Sequence, residues 1–309
     1  MATSPVSAMQ SDQFAGLANG MRLHFASAGI RGRPLVLFMH GFPEAWFAWE
    51  AQLDFLGAEY YAVAVDLRGF NRSRKPADVE AYRAGTIVED MKLLIAQLGY
   101  REATVVAHDW GGAIAWNLAI AMPKLIRKLV IINAPHPFLF ARQLHENPAQ
   151  QQASGYMNRL RRPGSEVLLA ENDFQRLDAV FAPRPGSAPD WYDAPLRARY
   201  HAMWSIPGDD ASHPLTGAVN YYRASPLHPA TPEEPVSVFG AMRAPDWTVL
   251  VPVRVIWGLD DTALLPSLLD GLEEFCADLS ITRVSGATHW VVHERPAEVN
   301  TLIAQALDR

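Results

Sequence analysis

The chain has 309 residues, of which 49% are hydrophobic and 19% charged, the composition of an ordinary globular protein. Its formal net charge is −6, from 27 basic and 33 acidic residues, so we expect no basic surface for nucleic acid or anionic lipid. The single cysteine, Cys276, cannot form an internal disulfide, and the fold therefore does not depend on an oxidising compartment.

The segment from Met1 to Gln13 is small and polar and lacks the basic stretch and apolar core of a signal peptide. No apolar run reaches the ~18 residues of a membrane span. We therefore expect a cytoplasmic protein with no membrane or nucleic-acid partner and with a frayed N-terminal tail. A homodimer is compatible with the sequence, which does not fix the oligomeric state.

Between Met21 and Asn133, short apolar runs alternate with amphipathic stretches. The predicted strands are 35–39, 61–65, 104–107 and 129–132, and the predicted helices are 45–56, 86–98 and 111–122. Short apolar runs without alternation are typical of strands buried on both faces. The sequence therefore predicts an α/β fold, with a mostly parallel twisted sheet flanked by helices.

The amino-acid composition changes after Asn133, because 16 of the 23 prolines lie between Pro135 and Pro252. Helices are predicted there at 165–172 and 195–204, and the strand and helix pattern resumes with strands 253–256 and 280–284 and a helix at 296–307. The aromatic content of the middle segment argues against disorder. We predict a helical cap over residues 135–245, inserted into a core domain made of 1–134 and 246–309.

One turn carries a candidate nucleophile. In Ala107-His108-Asp109-Trp110-Gly111, small residues stand two positions before and after Asp109, between a predicted strand and a predicted helix. This spacing is typical of a nucleophile elbow, with aspartate in the usual place of serine. The alternative is an acidic helix N-cap, but the position at a strand end favours the nucleophile.

An aspartate nucleophile restricts the chemistry. A carboxylate that attacks an ester or amide forms a reactive anhydride, whereas attack on a strained or activated sp3 carbon forms an ordinary ester that water can cleave. Covalent catalysis by Asp109 therefore indicates epoxide hydrolysis or dehalogenation, and it argues against esterases and peptidases.

The loop His40-Gly41-Phe42-Pro43 follows the predicted strand 35–39. We expect this loop to supply one donor of an oxyanion hole. The two donors would be the backbone N–H groups of Phe42 and Trp110, which stabilise negative charge where it develops. The Phe42–Pro43 peptide bond can be cis, an option specific to proline.

His289 follows the predicted strand 280–284 and is the candidate general base. A second interpretation makes His289, His293 and Glu294 metal ligands, but an i, i+4 histidine pair alone lacks the further ligands that a metal site needs. The triad acid, which orients the imidazole, is predicted after strand 253–256, where either Asp260 or Asp261 is suitable. The other position for such an acid holds Asn133 and Ala134, and neither is acidic.

At this point the sequence resembles the α/β-hydrolase-fold epoxide hydrolases, from about residue 19 to the C-terminus. The resemblance rests on the segments HGFPE at 40–44, DLRGFNRS at 66–73, HDWGG at 108–112 and GATHW at 286–290. It implies that Asp261, two residues after Leu259, is the triad acid. It also implies that two cap tyrosines, Tyr156 and Tyr222, hydrogen-bond the epoxide oxygen and protonate it on ring opening. Tyr221 is the alternative to Tyr222.

The resemblance further implies a small-molecule epoxide substrate and no metal or organic cofactor. Aromatic residues of the predicted cap, such as Phe138, Phe181, Trp191 and Trp204, suggest that this substrate is apolar or aromatic. We expect the substrate pocket to include His40, Pro43, His108 and Phe138. This chain departs from many relatives in having Leu160-Arg161-Arg162 before the cap Pro-Gly and Thr288 before His289. These changes remove no catalytic group, although the arginines can alter substrate preference.

Two rival functions share this sequence pattern. Haloalkane dehalogenases also use aspartate followed by tryptophan, but they hold the halide with a side-chain donor where this chain has Phe42, and the tyrosine pair would be unexplained. Fluoroacetate dehalogenases carry arginines just after the nucleophile, where this chain has Trp110 and Gly112. A catalytically silent receptor would need the loss of a catalytic residue, and every expected one is present.

Overall fold

The computed structural model describes residues 8–182, 189–232, 234 and 238–308. The strands are β1 (Gln10–Gly16), β2 (Arg22–Ala28), β3 (Leu35–Met39), β4 (Tyr61–Val65), β5 (Ala103–His108), β6 (Ile126–Ile132), β7 (Val253–Gly258) and β8 (Leu279–Val284). The α-helices are α1 (Glu50–Leu56), α2 (Ala84–Gln97), α3 (Asp109–Ala121), α4 (Pro137–Glu146), α5 (Pro148–Ala153), α6 (Gly155–Leu160), α7 (Ser165–Phe181), α8 (Ala194–Trp204), α9 (Thr216–Ala224), α10 (Val291–Glu294) and α11 (Pro296–Asp308).

The eight strands form one sheet in the order β1-β2-β4-β3-β5-β6-β7-β8. Strands β1 and β2 run antiparallel to their neighbours, and the pairs from β4–β3 through to β7–β8 are parallel. Every residue of β3, β4 and β5 is buried, as expected for strands covered by helices on both faces. The predicted α/β class with a mostly parallel sheet is confirmed.

The antiparallel hairpin of β1 and β2 is absent from the sequence prediction. Strand β1 is an edge strand with a mostly exposed, polar sequence, so it carries no apolar pattern. Its pairing with β2 supplies the order that its own residues do not indicate. The frayed tail that the sequence predicts therefore extends too far into the chain, because residues 10–16 form this strand. Residues 1–7 lie outside the described part.

The long cap helix α7 departs most from its predicted bounds. We predicted a helix at 165–172, whereas α7 continues to Phe181 across a kink at which Asn172, Asp173 and Phe174 have positive φ. The Phe174 ring packs beside the ring of Trp204, 5.6 Å away between centroids. Asparagine and aspartate tolerate this left-handed conformation, whereas phenylalanine does not, so the packing of the Phe174 ring accompanies the strained end of the turn.

The chain leaves the sheet after β6 and returns at β7, and helices α4 to α9 lie in the interval. Several hydrogen bonds connect this interval to the core: Tyr221 Oη donates to the Arg68 carbonyl at 2.9 Å and Trp204 Nε1 donates to the Pro43 carbonyl at 2.8 Å. The division into a cap at 135–245 stays a prediction. Within the described ranges, no helix is long and apolar enough to cross a bilayer.

Helix α9 and the loop after β4 meet at two glycines. A Cβ atom on Gly217 of α9 would lie 2.6 Å from the Cα of Gly69 and 2.7 Å from the hydroxyl of Tyr82. Side-chain atoms do not fit at such distances, so this contact requires glycine.

We expect Gly217→Ala to lower the free energy of unfolding by about 1–3 kcal/mol, because the added methyl group pushes the two backbones apart. Urea denaturation measures the change. The matched control is Gly85→Ala in α2, where a Cβ would meet nothing within 4 Å, and there we expect no loss of stability. Equal effects of the two substitutions would contradict the close-packing argument.

Candidate active site

The turn from β5 into α3 holds Asp109 in a strained backbone conformation, with φ of 48°. The small residues around it are required by crowding. A Cβ on Gly111 would lie 2.3 Å from the carbonyl oxygen of Met39, and a Cβ on Gly41 would lie 2.3 Å from the Cβ of Asp109. The turn therefore lifts the Asp109 side chain above the carboxyl edge of the sheet, as predicted for a nucleophile elbow.

The Asp109 carboxylate lies between an amide donor and an imidazole. The Phe42 N–H donates to Oδ1 at 2.8 Å, and Nε2 of His289 lies 3.6 Å from Oδ2. Trp110 follows in the first turn of α3, whose N-terminus favours negative charge. The peptide bond between Phe42 and Pro43 is cis, as the sequence allowed. The two carboxylate oxygens thus have different neighbours.

Of the two candidate acids, Asp261 contacts the imidazole. Its Oδ2 lies 2.7 Å from His289 Nδ1, and the Asn133 amide donates to the same oxygen at 2.8 Å. Its Oδ1 accepts the backbone N–H groups of residues 263 and 264. Asp260 is exposed beside it. The end of β6, where the sequence has Asn133 instead of an acid, therefore supplies the amide that holds Asp261.

The charge of His289 depends on both carboxylates. Burial by itself lowers the pKa of His289, but the Asp261 charge and hydrogen bond outweigh burial and, with the Asp109 charge, raise the pKa to about 9. Burial likewise raises the pKa of Asp261, yet the contact with His289 brings it below its ordinary value. The two shifts agree, and the pair is ionised at neutral pH.

Two cap tyrosines face this carboxylate across a cavity. Tyr156 on α6 and Tyr222 on α9 have ring centroids 6.1 Å apart, and both line the two cavities that Asp109 lines. Burial, and then the Asp109 charge, raises the pKa of Tyr156 well above 10, although a hydrogen bond with Tyr222 opposes this. Tyr221, the alternative, instead bonds the Arg68 carbonyl. Tyr156 and Tyr222 are therefore protonated phenols at neutral pH.

The cavities on the two sides of Asp109 differ in character. The smaller, of about 240 Å³, is lined by apolar groups that include Trp110, Ile114 and Phe140. The larger, of about 700 Å³, contains His289 and Asp261 together with several arginines. Asp109 therefore lies where an apolar chamber meets a more polar one.

Four residues that we expected in the substrate pocket lie elsewhere. His40 and His108 are fully buried beneath the site, since His40 bonds backbone groups and His108 Nε2 bonds the His289 carbonyl at 2.9 Å. Pro43 accepts the Trp204 indole, and Phe138 packs against Phe239 and Phe275. None of the four lines either cavity next to Asp109, because each is taken up by packing or by support of the loops.

Glu44 is a buried charge to which sequence reasoning assigned no role. Its Oε2 lies 3.1 Å from His108 Nδ1, its Oε1 lies 2.6 Å from His293 Nε2, and the Tyr200 hydroxyl of the cap donates to Oε1 at 3.3 Å. Burial alone would raise the pKa of Glu44, but the hydrogen bonds with His108 and His293 outweigh it and hold the pKa below its ordinary range. The sequence signal for a role of Glu44 was its position directly after the His-Gly-Phe-Pro turn.

The metal interpretation of His293 and Glu294 fits the contacts poorly. His293 bonds Glu44, whereas Glu294 accepts the N–H and hydroxyl of Thr288, both at 2.7 Å. Among the described residues, no group of three or more histidine, cysteine, aspartate or glutamate side chains is placed to hold a metal ion.

Comparison with known proteins places these features in a family. A family model described as alpha/beta hydrolase fold matches residues 34–296. AB hydrolase superfamily protein YfhM of Bacillus subtilis is 36% identical over 291 residues, covering 94% of this chain and 95% of that protein. Epoxide hydrolase 4 of Mus musculus is 33% identical over 293 residues, covering 92% of this chain and 76% of that protein. The crystal structure of a Bacillus megaterium epoxide hydrolase with an inhibitor superposes with a TM-score of 0.84 at 33% identity, covering 96% of this chain and 100% of that chain.

The pKa of His289 gives a test of the site's electrostatics. We expect NMR titration of its ring protons to give a pKa of about 9, and we expect Asp109→Asn to lower this pKa, because it removes one of the charges that raise it. An unchanged pKa in Asp109→Asn would contradict the coupling. The raised pKa also stabilises the fold fully below the unfolded value of about 6.5, and this contribution is lost as pH rises to about 9.

Proposed function

The chain belongs to the α/β-hydrolase fold family and to its epoxide hydrolases, and we propose that Asp109 is the nucleophile with which it opens the epoxide. The reaction adds water to an epoxide and gives a vicinal diol. Its proposed course has two steps, formation of an ester on Asp109 and hydrolysis of that ester.

In the first step, the epoxide oxygen accepts hydrogen bonds from Tyr156 and Tyr222. Oδ2 of Asp109 attacks one ring carbon, so that a C–O ester bond forms as the ring C–O bond breaks. The leaving oxygen takes a proton from one tyrosine. Because the pKa of both phenols is raised by burial and by nearby negative groups, the tyrosinate then takes back a proton, which the protonated His289 supplies, and His289 becomes neutral.

In the second step, His289 takes a proton from a water that attacks the Cγ of the esterified Asp109. The charge that develops on Oδ1 is stabilised by the Phe42 N–H, which already donates to this oxygen at 2.8 Å, and by the N–H of Trp110. The ester bond then breaks, the second proton of the attacking water passes to the leaving diol oxygen, and the Asp109 carboxylate is restored with His289 protonated as at the start. Asp261 holds the imidazole in the required orientation.

The order of the steps suits the pKa of His289. In the free protein the imidazole is protonated, because Asp261 and Asp109 raise its pKa to about 9. Once Asp109 is esterified it carries no charge, so one of the causes of the raised pKa disappears. His289 is therefore a better base in the intermediate, which is the state in which a base is needed.

The observation that carries this proposal is the meeting of three groups at one cavity wall: the Asp109 carboxylate, the His289–Asp261 pair and two buried phenols. A hydrolase of esters or amides has no use for a carboxylate nucleophile or for two phenol donors opposite it. An epoxide needs both, because its oxygen leaves as an alkoxide that must be protonated.

The dehalogenase alternative is not favoured. The Mus musculus relative and the Bacillus megaterium structure are both epoxide hydrolases by name, and Phe42 offers no side-chain donor to a halide. The silent receptor finds no support either, since no expected catalytic side chain is missing from the site. No metal or organic cofactor is needed for the proposed steps, and the substrate is a small epoxide with apolar or aromatic substituents. The homodimer and the cytoplasmic location stay predictions.

The direct experiment offers the purified protein a panel of epoxides and alkyl halides and measures release of diol and of halide. We expect diol without halide and no turnover by Asp109→Ala, which lacks the nucleophile. We expect His289→Gln to accumulate the ester, seen by mass spectrometry as a substrate-sized adduct on the peptide that contains Asp109. Turnover by Asp109→Ala would sink the scheme, and halide without diol would revive the dehalogenase.

The tyrosines are tested by single-turnover formation of the ester. We expect Tyr156→Phe and Tyr222→Phe each to slow ring opening by up to about a hundredfold, since the partner still donates, and the double variant to lose at least as much again. Tyr221→Phe serves as the matched control, because its hydroxyl bonds the Arg68 carbonyl instead. A larger effect of Tyr221→Phe than of Tyr222→Phe would mean that the register is wrong.

A further inference from the structure

The larger cavity carries two arginines without an acidic partner. Arg159 and Arg162 both line it and are exposed, and neither has a carboxylate within 4 Å among residues 8–182, 189–232, 234 and 238–308. Five other arginines between residues 135 and 245 are paired with carboxylates, as Arg161–Glu234, Arg176–Glu171, Arg197–Asp178, Arg199–Glu50 and Arg223–Glu166. Arg142 and Arg243 also have no carboxylate within 4 Å among the described residues, but they line neither cavity next to Asp109. Arg159 and Arg162 therefore bring two unpaired guanidinium groups to this cavity.

Helix α6 relates these arginines to the reaction centre. Tyr156 and Arg159 are three residues apart in α6, so they share a helix face and are separated by about 4.5 Å along the axis. Arg162 follows in the turn that ends the helix, and its carbonyl is held by Arg223 at 3.0 Å. The helix that presents the phenol to the epoxide thus also presents positive charge one turn away.

The other charged side chains of this cavity leave the positive charge of Arg159 and Arg162 largely uncompensated. Asp109 and Asp261 lie next to His289, whose raised pKa keeps it protonated at neutral pH. Asp260 is exposed at the rim and opposes the arginines, but it is not within ion-pair distance of either. The whole chain carries a net charge of −6, so this local positive charge runs against the charge of the protein.

The smaller cavity shows the opposite character. Among its described lining residues, Asp109 is the only one with a charged side chain. An epoxide ring held between Asp109 and the tyrosines therefore has an apolar chamber on one side and two free guanidinium groups on the other.

We propose that Arg159 and Arg162 bind a carboxylate at the outer end of the substrate, so that the preferred substrates are epoxides that carry a carboxylate on an apolar linker. This inference rests on the proposed function of the site. A guanidinium is always charged and matches the two oxygens of a carboxylate with paired donors. The carboxylate is held away from Asp109, and the rest of the substrate fills apolar space.

The test compares terminal epoxides on straight alkyl chains that end in a carboxylate with the primary amides of equal length. We expect a higher kcat/KM for the acid than for the amide over part of the length series. In Arg159→Gln/Arg162→Gln, the ratio of kcat/KM for acid over amide falls about tenfold, because two exposed ion pairs are lost. Asp260→Asn changes the ratio in the opposite direction, and added salt lowers it in the unaltered protein.

The matched control is Arg101→Gln/Arg127→Gln, which makes the same change in net charge. Arg101 precedes β5 and Arg127 lies at the beginning of β6, both exposed at the amino end of the sheet, opposite Asp109. We expect the acid-to-amide ratio to stay constant in this control.

The outcomes separate the two proposals. If neither acid nor amide is hydrolysed, the proposed function itself fails. If the amides are hydrolysed as well as the acids at every length, or if both double variants lower the ratio equally, the carboxylate site is overturned and the epoxide hydrolase function stands.

Discussion

At the carboxyl end of β5, three stretches of backbone pass so closely that side chains are excluded. A Cβ on Gly111 would lie 2.3 Å from the Met39 carbonyl oxygen, and one on Gly41 would lie 2.3 Å from the Cβ of Asp109. This crowding fixes Asp109, the proposed nucleophile, above the sheet edge and brings the Phe42 N–H to its carboxylate. Strain at one residue is thus balanced by packing and hydrogen bonds from the surrounding loops.

A buried carboxylate connects the parts of the site that come from different regions of the chain. Glu44 contacts His108, which precedes the nucleophile, and His293, which follows the base in sequence, and it accepts a bond from Tyr200 of the cap. A buried charge is costly unless its partners satisfy it. Here the partners are the elements that must stay in register, so Glu44 holds the nucleophile turn, the loop with His289 and the cap together.

The groups at the centre of the site are confined, whereas the cavities on the two sides of them differ. Asp109 and the two phenols are confined by packing, while the space on either side of them differs: one cavity is apolar and the other carries unpaired arginines. The proposed reaction depends on these confined groups. Choice among substrates depends on the two cavities, which cap side chains line from α6, α7 and α9 and which can change without altering the fold.

The sequence by itself determined which segments form the parallel strands from β3 to β8 and where the candidate nucleophile lies, because short local patterns indicate both: apolar runs of strand length, and small residues around Asp109. It also placed His289 at a strand end. The edge strand β1 and the kink of α7 escaped prediction, because pairing with β2 and the packing of Phe174 stabilise them. Only the tertiary structure decided that His108 supports the site instead of lining it and that Glu44 links core and cap, since such contacts join residues far apart in the chain.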